Sequence, residues 1–182
     1  MTSRAAAPLA HGLVLVELLV VAAIVAILAG LASPHFSSAI VRQRVRNAGD
    51  DLAAALHLAR AEALRRGSQV VLRKTEVPGC PAPSARDWSC GWAVFADFDE
   101  DGRFGPGDEL IQAWPPLRSV LATTNAPAPS DALAVNRWGR FPGLGAFRFT
   151  LTPSNQSRVD ATEVLCMSAG GRVHRTRGTG EC

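Results

Sequence analysis

The twenty residues from Leu13 to Ala32, LVLVELLVVAAIVAILAGLA, are apolar with one exception, Glu17. As a helix rising about 1.5 Å per residue the run is about 30 Å long, enough to cross the hydrocarbon core of a bilayer. A carboxylate in such a span is costly and persists only where something pairs with it, so Glu17 is a candidate functional residue. A short leader, MTSRAAAPLAHG, precedes the run and ends in Gly12. Two plain readings are available. One is an ordinary single-span anchor. The other is a secretory signal removed after Ala32, whose apolar region would be overlong and would carry Glu17.

A third reading rests on the whole pattern. Leader, Gly12, apolar residues, Glu17 and a long apolar helix together resemble the class III signal of type IV pilins and type II secretion pseudopilins. The resemblance implies that a prepilin peptidase cuts between Gly12 and Leu13 on the cytoplasmic side. It also implies methylation of the new amine, and Glu17 as the assembly carboxylate, pairing with an N-terminal amine, commonly that of a neighbouring subunit. The physics agrees: a free amine at Leu13 is cationic, and a carboxylate one turn on, or on an adjacent subunit, is its natural partner in low dielectric. Loop charge taken alone favours the opposite orientation, because Arg42, Arg44 and Arg46 follow the span and only Arg4 precedes it. Those arginines begin about ten residues beyond the span, so the leader pattern decides.

Of the 182 residues, roughly 150 follow the span, enough for one domain with its own core. The net charge of +3 is unevenly placed. Seven acids and one Arg lie between Asp87 and Glu109, whereas seven Arg and three acids lie between Arg137 and Cys182. Such asymmetry allows one end of the domain to meet a polyanion. The four cysteines, Cys80, Cys90, Cys166 and Cys182, fall in loop-like or terminal segments beyond the span. An even number so placed reads as disulfides in an oxidising compartment. Three pairings are possible, and closure of local loops favours Cys80–Cys90 with Cys166–Cys182. Neither Cys-x-x-Cys nor clustered His is present to suggest zinc.

Past Pro34, where a kink is expected, apolar residues recur at spacings of three and four: Val41, Val45, Ala48, Leu52, Ala55, Leu56, Ala59 and Ala63. This is one stripe of an amphipathic helix. Arg65, Arg66 and Gly67 supply a basic last turn and a terminating glycine. The period then changes to two, with strands expected at 69–73, 91–97, 110–114, 120–122, 133–135, 146–151, 164–167 and 172–174. Phe147, Phe149 and Leu151 alternate with Arg148 and Thr150, the mark of a half-buried strand. The stretches VPGCPAPSARD and NAPAPSD read as loops. The expected fold class is α+β: a long N-terminal helix, half transmembrane and half amphipathic, packed on an antiparallel two-sheet β domain. The expected organisation is a cleaved cytoplasmic leader (1–12), a transmembrane helix (13–34), an amphipathic helix (35–67) and an extracytoplasmic β-rich domain (68–182).

The segment NAGDDLAAALHLARAEALRRGSQVVL, followed by a Cys and then DWSCGWAVFADFDEDGRFGPGDELI, resembles the GspH/FimT family of minor pseudopilins. Leu58, Ala59, Arg60, Ala61, Glu62 and Ala63 fill that family's helix motif. Trp88, Gly91, Trp92, Val94, Phe95 and Asp97 fill its strand motif. The resemblance implies a pilin-like fold and a non-catalytic subunit that helps initiate or cap a type IV pilus or a type II secretion pseudopilus. Other major and minor pilins or pseudopilins and the prepilin peptidase would be its partners. It would sit in the bacterial inner membrane as a single-pass protein, its C-terminal domain in the periplasm, and enter a pilus or pseudopilus. Pilus and secretion machine are not separated by these residues.

Two constellations go beyond packing. Asp97, Asp99, Asp101 and Gly102 reproduce the opening of a calcium-binding EF-hand loop, but Asp108 stands where the bidentate Glu belongs, and flanking helices are not expected. The plainer reading is a polar hairpin turn, and no cofactor, calcium included, is expected. The tail, GGRVHRTRGTGEC, resembles the basic C-terminal GRxR-like motif through which some pilus-branch relatives bind DNA in natural transformation. Arg172, His174, Arg175 and Arg177 are its candidate DNA contacts, with His174 in place of the final Arg. Clustered arginines clamp phosphates without reading bases; the alternative is a solvated strand that touches nothing, or an acidic neighbour in the fibre. Catalysis is not expected: His11 is in the leader, His35 and His57 are on the helix, and His174 has no nucleophile motif around it.

Overall fold

The computed structural model describes residues 11–81, 84–127, 130–142, 145–155, 161–168 and 170–178; side chains 11–14 and 29–37 also lie outside this description. The leader and Cys182 are therefore outside the described residues, as are the side chains at the Gly12–Leu13 junction. The chain divides into two compact units, Met1–Ile40 and Val41–Cys182.

Within the first unit the chain is helical from His11, the start of α1 (His11–Arg66), Pro34 included. Glu17 is exposed, and so are the large apolar side chains around it: Leu15, Val16, Leu18, Leu19, Val20, Val21, Ile24, Val25, Ile27 and Leu28. Among the described residues no helix is long and apolar enough to cross a membrane. The expected span at 13–34 runs into side chains outside that description at both ends.

In the second unit the rest of α1 presents its expected stripe. Val45, Ala48, Leu52, Ala55, Leu56, Ala59 and Ala63 are all buried. Gly67 donates its N–H to the Ala63 carbonyl at 3.0 Å, ending the helix where the sequence placed its stop. Arg65 and Arg66 both grip Glu62, and Arg66 also forks onto Glu109 at 2.6 and 2.8 Å. Hydrogen bonds from Arg65 and then Arg66 hold the Glu62 carboxyl down to about 2.

Among the described residues eight strands follow: β1 Val70–Lys74, β2 Trp92–Ala96, β3 Glu109–Trp114, β4 Val120–Thr124, β5 Ala132–Val135, β6 Phe147–Pro153, β7 Glu163–Met167 and β8 Val173–Arg177. They form two four-stranded sheets, ordered β3-β2-β1-β5 and β4-β6-β7-β8, every pair antiparallel. The expected alternation in β6 is present, with Phe147, Phe149, Leu151 and Pro153 buried and Arg148, Thr150 and Thr152 half-buried. Strand β8 runs three residues beyond its expected end at His174, because pairing with β7 continues to Glu163↔Arg177. Sequence periodicity gives little sign of this, since the added residues Arg175, Thr176 and Arg177 are all polar.

Helix and sheets share one core. Leu52 and Leu56 join Leu72, Trp88, Trp92, Leu133, Phe147, Phe149, Leu151 and Leu165, all at most 1% exposed. Trp88 meets Phe149 edge-on at 5.1 Å and donates its indole N–H to the Ser130 carbonyl at 2.9 Å. Cys80 and Cys90 are joined by a disulfide with Cα atoms 5.8 Å apart, pinning the loop ahead of β2. Cys166, fully buried in β7, is also disulfide-bonded; Cys182, its expected partner, lies outside the described residues.

Gly91 shows how tight the entry to β2 is. Its φ is +90°, and a Cβ there would collide with the Trp114 carbonyl oxygen and lie 2.9 Å from the Pro115 carbonyl. Both obstacles are backbone, so neither can swing away, and an L side chain is also strained at this φ. Gly91→Ala should destabilise the protein by about 2–4 kcal/mol. Denaturant unfolding of the full-length variant checks this; a loss under about 0.5 kcal/mol would contradict the contact.

Candidate functional site

Among the described residues the second sheet ends at β8, which pairs with β7 on one edge. The register Glu163↔Arg177, Leu165↔Arg175 and Met167↔Val173 puts these six residues on one face, and His174 and Thr176 on the other. The candidate DNA contacts are therefore not one surface. Arg175 and Arg177 look the same way as Glu163, His174 looks the opposite way, and Arg172 is exposed just before the strand. Arg175 is committed: its Nη1 lies 2.6 Å from Asp50 on α1 and 3.4 Å from Glu163.

On the Glu163 face, helix and strand arginines meet. A surface hollow of about 390 Å³ is lined by Arg46, Glu163, Arg175, Thr176 and Arg177. A smaller one of about 130 Å³ beside it brings in Arg42, with Arg46, Glu163 and Arg177 again. Glu163 is the charge around which they gather. It is 8% exposed, and it fits because Gly49 of α1 has no side chain: a Cβ there would lie 3.1 Å from Glu163 Oε1. Burial pushes the Glu163 carboxyl above the ordinary 4.5; Arg175 opposes the rise, Asp50 adds to it, and Arg46 and Arg177 oppose it. Sequence reasoning missed Glu163. The available signal was an acid opening the strand EVLCM, a run otherwise apolar.

The tail is also tied to the helix motif. Arg60 Nη1 donates to the Gly171 carbonyl at 3.2 Å, across 111 residues. Gly171 has φ +77°, and a Cβ there would lie 2.8 Å from Arg60 Nη1. The Arg of the LARAEA segment thus docks the turn that launches β8.

The acidic hairpin between β2 and β3 gathers Asp97 and Asp99 with Asp108 rather than with Asp101. One carboxylate oxygen each of Asp97, Asp99 and Asp108 lie within 4.8 Å of one another. Asp101 turns aside to accept the Arg103 N–H at 2.6 Å. The Asp101 N–H donates to Asp99, which lowers its pKa, but desolvation, contact with Asp97 and the charges of Asp101 and Asp108 outweigh this and leave the Asp99 carboxyl raised.

Comparison with known proteins places this architecture. The profile of the family described as "Type II transport protein GspH" matches residues 48–171, more than half of the chain. The chain belongs to the GspH family. No curated protein sequence matches it. Among solved structures it is similar to the Pseudomonas aeruginosa type IV minor pilin FimU, with a TM-score of 0.58 and 16% identity over 76% of this chain and 96% of that one. It is also similar to the minor pseudopilin EpsH of the Vibrio cholerae type 2 secretion system, with a TM-score of 0.52 and 14% identity over 76% and 99% of the two chains. This GspH/FimT-type minor pseudopilin is thus a structural subunit and not an enzyme, as its family's members are.

The buried Glu163 carries a pH signature. A carboxyl whose folded pKa is raised binds more protons in the fold than in the unfolded chain. Its contribution is fully present below the unfolded value near 4.5 and is lost as pH rises through the folded pKa. Wild type should therefore lose stability relative to Glu163→Gln in the window just above 4.5. Thermal midpoints of both proteins between about pH 4 and 8 read this directly. A difference that stays flat, or moves in favour of wild type as pH rises, would refute it.

Proposed function

We propose that this GspH-family protein is a minor subunit of an envelope fibre, helping to initiate or cap a type IV pilus or a type II secretion pseudopilus. The observation that carries the reading is the first unit: a helix whose described side chains from Leu15 to Leu28 are exposed apolar groups around a single carboxylate. An uncovered surface of that kind needs lipid or neighbouring helices to cover it. In this reading residues 13–34 anchor the protein once in the inner membrane, with the β domain in the periplasm. A prepilin peptidase cuts between Gly12 and Leu13, the new amine is methylated, and Glu17 pairs with an amine of another subunit as the helix leaves the bilayer for the fibre. FimU serves a pilus and EpsH a secretion system, and the fold is common to both.

Glu17→Ala should leave membrane insertion intact and reduce incorporation into the fibre, read by copurification with partner subunits; normal copurification would sink the assembly role. Gly12→Leu should stay at precursor mass, and a variant running at mature mass would overturn the cleavage site.

A second reading, DNA binding, is favoured by the gathering of Arg46, Arg175 and Arg177 around one hollow. Arg175 already serves Asp50 and Glu163, and His174 faces away, so binding should be micromolar or weaker at physiological salt, as for non-specific contacts. Full-length protein in detergent should bind unrelated duplexes alike. The double variant Arg172→Gln/Arg177→Gln should flatten the slope of log affinity against log salt by about 2. An unchanged slope, or no binding by wild type at low salt, removes DNA from the account.

A further inference from the structure

The hairpin between β2 and β3 holds negative charge together where solvent would let it spread. Carboxylates on a free loop separate into water, yet here each member of the trio is fixed. Asp108 accepts the Phe98 N–H on Oδ1 at 3.1 Å and the Gly105 N–H on Oδ2 at 2.8 Å. Asp99 Oδ1 accepts the Asp101 N–H at 3.3 Å. Asp97 Oδ2 accepts both Gln69 Nε2 and the Gly102 N–H at 2.9 Å.

Asp97 is decisive. Its side chain is 1% exposed, and its second oxygen, Oδ1, is buried with no hydrogen-bond donor. A buried carboxyl oxygen without a donor is costly, and such groups in folded proteins are met by a partner charge, a water or a metal ion. Arg73 reaches this loop but gives its two terminal nitrogens to the Gly102 carbonyl and to Asp131. One carboxylate oxygen each of Asp99 and Asp108 lies within 4.8 Å of one of Asp97.

We propose that Asp97, Asp99 and Asp108 form a binding site for a calcium ion. Hard cations take oxygen ligands, and three carboxylates from a single hairpin supply both the charge and the donor type. The donor set favours calcium over magnesium, because Mg²⁺ dehydrates reluctantly, keeps several waters and is usually held by one or two carboxylates. The trio's oxygens lie within 4.8 Å of one another, near enough to converge on one ion. Water and loop carbonyls complete the six to eight ligands that calcium takes. The ligand at the twelfth position of the loop is Asp108, whose shorter side chain serves because the β2–β3 pairing brings it back beside Asp97. The site departs from the expectation of no cofactor drawn from the sequence. It also stands apart from the fibre reading, since a cation here braces the hairpin whatever machine the subunit serves. Asp99 is exposed, so the site is open on one side and its affinity should fall at about 10⁻⁴–10⁻³ M, the range of extracellular modules.

The test uses full-length protein in detergent, stripped with EDTA. Calorimetric titration with CaCl₂ should give one ion per chain, and about 10 mM Ca²⁺ should raise the thermal midpoint by about 3–10 °C. The same concentration of Mg²⁺ should raise it by less than a third as much. Asp99→Asn, at an exposed position, should abolish both the heat of binding and the shift, with an EDTA midpoint equal to or above that of wild type because repulsion is relieved. Asp97→Asn should behave alike; should that buried change prevent folding, Asp99→Asn still decides. No calcium-dependent shift in wild type, an equal shift with Mg²⁺, or a full calcium shift in Asp99→Asn would overturn the proposal.

Discussion

The second unit depends on how closely α1 can approach the sheets, and small residues set that distance. Ala48, Ala55, Ala59 and Ala63 are buried along the stripe, and Gly49 beside them leaves room for a carboxylate oxygen of β7 where a Cβ would crowd it at 3.1 Å. Larger side chains along this line would hold the helix off and open the core around Leu52 and Leu56, whose neighbours include Trp88, Trp92 and Phe149. Close approach also brings long-range polar contacts within reach, among them Arg175 to Asp50 and Arg60 to the Gly171 carbonyl. The helix is therefore both the wall of the core and the post to which the tail is tied.

That arrangement gives the family motifs physical meanings. In the LARAEA segment, Leu58 is half-buried, Ala59 and Ala63 are in the core, Arg60 docks the β7–β8 turn, and Glu62 gathers Arg65 and Arg66 at the helix end. In the DWSCGW segment, Trp88 and Trp92 fill the core, Gly91 clears the Trp114 backbone, and Cys90 closes its disulfide with Cys80. Together they pack and cross-link the β domain against the second half of α1.

Much of this was legible in the chain because it is periodic. A stripe at spacings of three and four marks the helix, and short alternating or apolar runs between turn residues mark the eight described strands, with errors of one or two residues at most ends. What could not be read depends on register and on turns. Glu163 is buried among arginines because β7 pairs with β8 and because Gly49 faces it, and no local pattern reports either fact. His174 was grouped with the tail arginines because it adjoins them in sequence, while a strand sends neighbours to opposite faces. Loop spacing alone groups Asp101 with Asp97 and Asp99, yet the hairpin returns Asp108 to the cluster and leaves Asp101 to accept the Arg103 N–H. A spacing rule drawn from one scaffold names the chemistry of a loop but not which of its oxygens converge.

Among the described residues the domain buries two carboxylates, and it treats them differently. Glu163 lies among Arg46, Arg175 and Arg177, so its charge is met by side chains of the same chain, at the cost of a desolvation that raises its pKa. The positive groups there are largely spent on that internal acid, which leaves less for a polyanion than the count of tail arginines suggests. Asp97 has donors on one oxygen and none on the other, and carboxylates rather than guanidinium groups share its cluster. A fold that supplies its own counter-charge at one buried acid and additional acids at another treats the two as different kinds of object. The first is a structural brace, complete in itself; the second is half of an interaction whose other half comes from solution.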